Sequence, residues 1–300
     1  MRNKMKAVVT GGAGFIGSHI VDALIDEGHE VVCIDNESST ANERFYWNPR
    51  CIEVVEDICD YKAILPYFSG VDIVFHLAAE SRIQPAIENP TLAARTNMAG
   101  TCNVLQAARH SGASRVIYSS TSSAYGLENK IPQKEDMPTD CLNPYSVTKI
   151  AGEELCKMYN KLFGLNTVIF RYFNVYGERQ PIKGQYAPVV GIFQRQVANK
   201  EPMTIVGDGL QRRDFTHVSD VVRANILAAN SDNCDIFGEV INIGTGTNIN
   251  MIELASMIND NWGTIHIPAR LGEARETLAD IKKARKLLNW QPKVKLEDWL

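Results

Sequence analysis

The sequence lacks the arrangements that metals, disulfides and membranes call for. Its seven cysteines, at 33, 51, 59, 102, 141, 156 and 234, are odd in number, widely scattered and include no CxxC pair. The six histidines, at 19, 29, 76, 110, 217 and 266, form no HxxxH or HExxH arrangement. Reduced, mostly buried thiols and core or surface histidines are therefore expected, and no metal. No apolar run is long enough to cross a bilayer. The basic stretch Met1 to Lys6 leads into only a few apolar residues before Gly11, too short for a signal segment, so a cytoplasmic protein with no membrane partner is expected. A surplus of charge is also missing. A net of -4 gives no electrostatic reason to expect a nucleic-acid surface, and small, individually captured ligands fit better. Repeats, low-complexity tracts and a Pro/Ser-rich linker are absent as well.

What is present is apolar sequence in short, regularly spaced pieces. With 45% hydrophobic residues over 300 positions, the chain can bury a full core. Val- and Ile-rich runs at Lys6 to Thr10, Glu30 to Asp35, Val71 to Ala78, Arg115 to Ser119 and Thr167 to Arg171 alternate with helix-period stretches. Runs with no polar side belong to strands buried on both faces, so the pattern predicts βαβ units in a doubly wound α/β fold around a parallel sheet. Between the first two runs, Ile20, Val21, Leu24 and Ile25 share one helical face of Gly17 to Glu27, and Gly28 closes that helix. Beyond about Val175 the regular series stops. Loops, helices and two strand-like runs, Met203 to Val206 and Val240 to Ile243, suggest a smaller C-terminal substrate-binding lobe (175–300) beside a dinucleotide domain (1–174), with some interleaving of the two. Ligands of open parallel sheets sit at the carboxyl ends of the strands, where the cleft between the two would lie.

Immediately after the first strand comes Gly11-Gly12-Ala13-Gly14-Phe15-Ile16-Gly17, leading straight into the amphipathic helix. Glycines at 11, 14 and 17 permit a tight turn, close approach of a pyrophosphate, and close packing of helix on strand. The second strand ends in Asp35, eighteen residues past Gly17, where a carboxylate can accept both adenosine ribose hydroxyls and repel a 2′-phosphate. NAD is favoured over NADP.

Tyr145 and Lys149 stand four apart at the start of a further helical stretch, so both project from one face. Asn143 is a natural N-cap and Pro144 a natural first residue, which puts Tyr145 in the first turn, where the helix dipole favours a phenolate. Lys149 is expected to lower the tyrosine pKa by its charge. What reads as the fourth strand ends in the hydroxyl-rich run Tyr118 to Gly126. Its hydroxyls could hydrogen-bond a substrate hydroxyl.

Taken in order, Gly11 to Gly17, Asp57-Ile58, His76 to Ala79, Asn97, Thr121 to Gly126, Tyr145 to Lys149, Arg171 to Asn174, Arg213-Asp214 and Arg270 to Asp280 resemble the NAD-dependent nucleotide-sugar epimerase/dehydratase family. These enzymes are extended short-chain dehydrogenase/reductases with a Rossmann fold. The resemblance implies a catalytic set of Thr121, Tyr145 and Lys149. It implies that Asp57 and Ile58 flank the adenine and that Leu77 and Ala79 line the dinucleotide. Phe15, Ile16, Asn36, Ala78, Asn97 and Tyr172 join the implied cofactor site. Asn174, Arg213, Arg270 and Glu273 are pointed toward a UDP-sugar, Arg213 facing the diphosphate and Glu273 the ribose.

Similar 4,6-dehydratases carry Asp-Glu after the threonine, and decarboxylases a Glu two residues before the Tyr-Gly pair; Ser122 and Ser123 stand here instead. Reversible oxidation at C4, hence epimerisation, is the simplest outcome. The resemblance also places Thr277 where a bulky tyrosine or a small residue sets room for a C2 substituent, and Thr277 is small. The closest rival is a UDP-glucuronate 4-epimerase, with Thr121, Ser122, Ser123 and Arg179 holding a C6 carboxylate. An idle NAD-binding sensor or scaffold and a 4-keto-sugar reductase are the others. Helices around Thr91 to His110 and Pro144 to Phe163 resemble those that pair family subunits through a four-helix bundle, so a homodimer is expected.

Overall fold

The structure is a computed structural model that describes residues 4–182, 184 and 187–300, so the first three residues of the basic Met1 to Lys6 stretch lie outside the described residues. Its centre is a seven-stranded parallel sheet. Strands β1 (Lys6–Thr10), β2 (Glu30–Asp35), β3 (Ile52–Val55), β4 (Ile73–His76), β5 (Arg115–Thr121) and β6 (Asn166–Tyr172) are completed by Val240–Ile243. The spatial order is Val240–Ile243, β6, β5, β4, β1, β2, β3. The order reverses between β1 and β4, and register pairs Thr10 with both Ile34 and His76, so the carboxyl ends of these strands share one edge.

Alternation along each strand supplies two cores. Ala7 and Val9 of β1 pack with Ile20, Val21 and Leu24 on one face. Val8 packs with Val74, Val116 and Ile169 on the other. A side chain points to one face and its neighbour to the opposite face, so a strand covered on both sides must be apolar throughout. Helix α1 (Phe15–Asp26) begins two residues earlier than its apolar period predicts, because the glycine run feeds directly into it. It ends as expected: Gly28 takes φ +87, and the His29 amide returns to the Leu24 carbonyl at 3.0 Å.

Two strands of the central sheet depart from the sequence reading. Ile52–Val55 is an additional edge strand in which only Val54 is buried, so it lacks the all-apolar signature of its neighbours. It is therefore the fifth strand, Arg115–Thr121, that ends in the hydroxyl-rich run, not the fourth. Val240–Ile243, read with the later lobe, instead pairs in parallel with β6, Ile243 opposite Tyr172. Four fully buried residues announce a strand, but nothing local says which sheet receives it. The later part of the chain does build a third core of its own, in which Tyr176, Val190, Phe193, Met203, Phe215 and Leu254 meet. Among the described residues no helix is long and apolar enough to cross a membrane.

Candidate active site

The glycine run turns at the sheet edge above β1. Gly11 has φ +67, and a Cβ there would lie 2.7 Å from the Ala78 amide nitrogen; a Cβ at Gly17 would lie 2.1 Å from the Gly11 carbonyl oxygen. Only glycine fits at either place, which leaves bare backbone facing the cleft. Asp35 at the end of β2 lies beside this cradle. Its carboxylate accepts from the Glu37 amide at 2.9 Å and the Ala13 amide at 3.2 Å. Burial pushes its pKa up, and those N–H bonds oppose the shift. The cradle and the carboxylate fit a dinucleotide with a free ribose diol.

The helix Pro144–Phe163 carries the reactive pair. Asn143 caps it, its side-chain oxygen accepting from the Ser146 amide at 2.8 Å, and Ser146 answers toward the Asn143 amide in a capping box. Pro144 stands in the first turn, as expected, with Tyr145 next to it. Lys149 is 3% exposed, its ammonium nitrogen 4.3 Å from the Tyr118 ring centroid. Thr121, at the end of β5, accepts from the Ser123 amide at 3.1 Å and lies beside Tyr145.

Burial pushes the Tyr145 phenol up, and the neighbouring Thr121 hydroxyl opposes it. The same cause brings Lys149 down to about 7, against the pull of Cys156 and Glu153. The expected lowering of Tyr145 by Lys149 charge is thus not what the geometry gives. Both groups are desolvated, and desolvation drives each toward its neutral form.

Cradle, acid and pair all open into one cavity of about 550 Å³. From the expected cofactor set, Gly11, Gly14, Phe15, Ile16, Gly17, Asp35, Asn36, Ile58, Leu77, Ala78, Ala79 and Tyr172 line it with Tyr145 and Lys149. The Tyr172 hydroxyl turns away, accepting from Ser119 at 3.1 Å and Asn225 at 2.8 Å, so only its ring is left to face the cavity. From the expected catalytic and substrate set, Thr121, Ser122, Ser123, Asn174, Arg213, Arg270, Glu273 and Thr277 line it too. Glu273 lies 3.8 Å from both Arg213 and Arg270, so the two guanidinium groups converge on one carboxylate. Beneath them Asp214, fully buried, accepts from the Thr245, Gly246 and Ala279 amides and locks Arg213 to the segment bearing Thr277.

Three expected residues are not brought to the cavity. The Asp57 carboxylate turns back to the Cys59 amide at 2.8 Å. Asn97 is buried and bonds both backbone groups of Glu80 and the Thr148 hydroxyl. Arg179 pairs with Asp22 of α1 at 2.6 Å and stands over the Tyr46 ring. Conversely, Arg82, Gln84, Val189, Phe193, Gln211 and Met251 line the cavity without having been singled out. They sit on loops, on the short helix Ile83–Glu88 or in the third core, with no motif, and only chain folding brings them to the cleft.

A glycine cradle, a ribose-facing acid and a buried Tyr-Lys couple at the switch point of a parallel sheet define a dinucleotide-dependent enzyme that works on a hydroxyl-bearing carbon. The family model described as "NAD dependent epimerase/dehydratase family" matches residues 7–244. The chain belongs to that family. It is similar to a crystal structure of UDP-glucose 4-epimerase with UDP-glucose from Thermotoga maritima, at 36% identity and TM-score 0.92, covering 98% of this chain and 96% of that one. It is similar also to UDP-N-acetylglucosamine 4-epimerase from Methanobrevibacter ruminantium M1 in complex with UDP-N-acetylmuramic acid (33%, TM-score 0.91, 99% and 96%). A third likeness is UDP-glucuronic acid 4-epimerase from Bacillus cereus in complex with UDP-glucuronic acid and NAD (34%, TM-score 0.88, 98% and 96%). These relatives are nucleotide-sugar 4-epimerases, which are isomerases, and the expectation of an NAD-dependent enzyme of that class holds.

Proposed function

We propose that this chain interconverts UDP-hexoses at C4 and accepts their N-acetylated counterparts. The observation that carries this reading is that Thr121, Tyr145 and Lys149 share one cavity with the Arg213, Arg270 and Glu273 cluster, while Ser122 and Ser123 stand where an eliminating acid would be needed. Tyr145 takes the proton from the sugar 4-hydroxyl, with Thr121 holding the same oxygen. NAD, cradled at Gly11 to Gly17 and Asp35, supplies the reversible hydride acceptor. Lys149, on the same helix face, would hold the nicotinamide ribose. The anchored nucleotide lets the 4-keto sugar turn within the pocket, after which Tyr145 returns the proton to the oxygen now on the opposite side. The later lobe, with its separate core, is the substrate-side half of this cleft.

The test is incubation with UDP-glucose, UDP-N-acetylglucosamine and UDP-glucuronate, each followed by NMR. Inversion at C4 is expected for the first two, without stoichiometric consumption of NADH or NADPH. Turnover of none overturns the reading. Turnover of UDP-glucuronate alone replaces it with the hexuronate reading, from which the Arg179–Asp22 pair has already withdrawn one cation.

The same reading includes a homodimer. Leu92, Met98, Val147, Met158 and Leu162 are exposed apolar residues on the two helical stretches Pro90–Ser111 and Pro144–Phe163, which pack side by side. Helix faces of this kind need a partner face. Light scattering is expected to give twice the chain mass of 33.4 kDa, and a monomer mass overturns the assembly.

A further inference from the structure

Capping a helix asks for one acceptor oxygen, and serine, threonine or aspartate supplies it as well as asparagine does. Asn143 brings something more. While its oxygen caps Pro144–Phe163, its amide nitrogen donates to the Gly272 carbonyl at 2.8 Å, 129 residues further along the chain. Contact from the other side is equally close: Gly272 has φ +77, and a Cβ there would lie 3.3 Å from the Asn143 Cβ and 3.4 Å from the Leu142 carbonyl oxygen. A second bond joins the same segment to the helix Ile83–Glu88, the Gln84 amide donating to the Leu271 carbonyl at 2.9 Å. Apolar burial does not hold this stretch down, since the Leu271 side chain is 84% exposed. Polar ties of known direction do. Yet Arg270, Gly272, Glu273 and Ala274 all line the cavity.

We propose that Asn143 is a positioning residue that docks the segment 270–274 onto the first turn of the helix carrying Tyr145. One side chain thereby sets both the proton-transfer group and the groups that face the sugar nucleotide. This rests on the reading above, that the segment faces the substrate. It goes beyond that reading by assigning the docking to a donor that no capping role requires.

Asn143→Ser keeps a capping oxygen but is too short to reach Gly272, and Asn143→Asp keeps the shape while turning the donor into an acceptor. Both are measured for UDP-sugar kinetics and for amide hydrogen exchange in the intact enzyme. The expected result is faster exchange across 270–275 and a KM for the UDP-sugar raised about fivefold in Asn143→Ser, with kcat within about twofold, since one neutral hydrogen bond is lost and the cap is kept. Asn143→Asp moves KM further in the same direction. Gly272→Ala, which leaves the cap untouched and crowds the contact, raises KM as well. Unchanged exchange and KM in both Asn143 variants overturn the proposal, as does a fall in kcat with KM unmoved, the mark of a cap alone. Faster exchange with unmoved KM upholds the docking and instead overturns the assignment of the segment to the substrate.

Discussion

Tyr145→Phe loses nearly all turnover, roughly 10³-fold in kcat, and keeps its NAD. The phenol lies beside Thr121, lines the cavity and sits in the first turn of a helix, whose positive end favours an ionised form. Removing its oxygen leaves the ring, the helix and the glycine cradle in place, so binding and catalysis separate cleanly. Burial raises the phenol toward its neutral form and lowers Lys149 to about 7, which makes the couple dependent on what else enters the cavity. A bound oxidised nicotinamide would bring a positive charge to this site. The measurement is kcat by coupled assay or NMR beside the NAD content of the purified protein. A variant within threefold of wild type removes Tyr145 from the mechanism.

Thr277→Tyr shifts the preference between plain and N-acetylated UDP-hexoses by about 10²-fold toward the plain sugars. Thr277 lines the cavity at 5% exposure, and its hydroxyl lies 3.4 Å from the Asn174 amide nitrogen and accepts from the Asp214 amide at 3.3 Å. A ring there fills space that a C2 substituent would use, and a filled pocket rejects a larger ligand by overlap far more sharply than an oversized one rejects a smaller ligand. The substitution also removes the acceptor for Asp214, which costs activity on every substrate. The ratio of kcat/KM values cancels that common loss, so the ratio is the quantity to compare in wild type and variant. An unchanged ratio takes Thr277 out of the specificity argument.

The residues that could be read from sequence are those whose role is local. The glycine run at 11 to 17 needs only a strand before it and a helix after it. Asn143 to Lys149 needs only helical spacing and a cap, and both came out in the structure as that reading expects. The edge strand Ile52–Val55 escaped because an edge is half solvated, which mixes its pattern. Asp57, Asn97 and Arg179 do not line the cavity for a related reason. A motif says that a polar side chain is present, whereas its direction depends on which partner folding supplies: the Cys59 amide, Glu80 with Thr148, and Asp22 respectively.

By itself, then, the sequence determined the βαβ order, the dinucleotide cradle, the ribose acid and the Tyr-Lys couple, because each is written within one or two turns of chain and obeys backbone geometry. Only the tertiary structure decided that Val240–Ile243 completes the main sheet, that Arg213, Arg270 and Glu273 converge on the same cavity, and that Asn143 reaches across to Gly272. Apart from the Arg270–Glu273 pair, those contacts join residues tens to more than a hundred positions apart. No local propensity encodes them; the packing of two cores against a third brings them together.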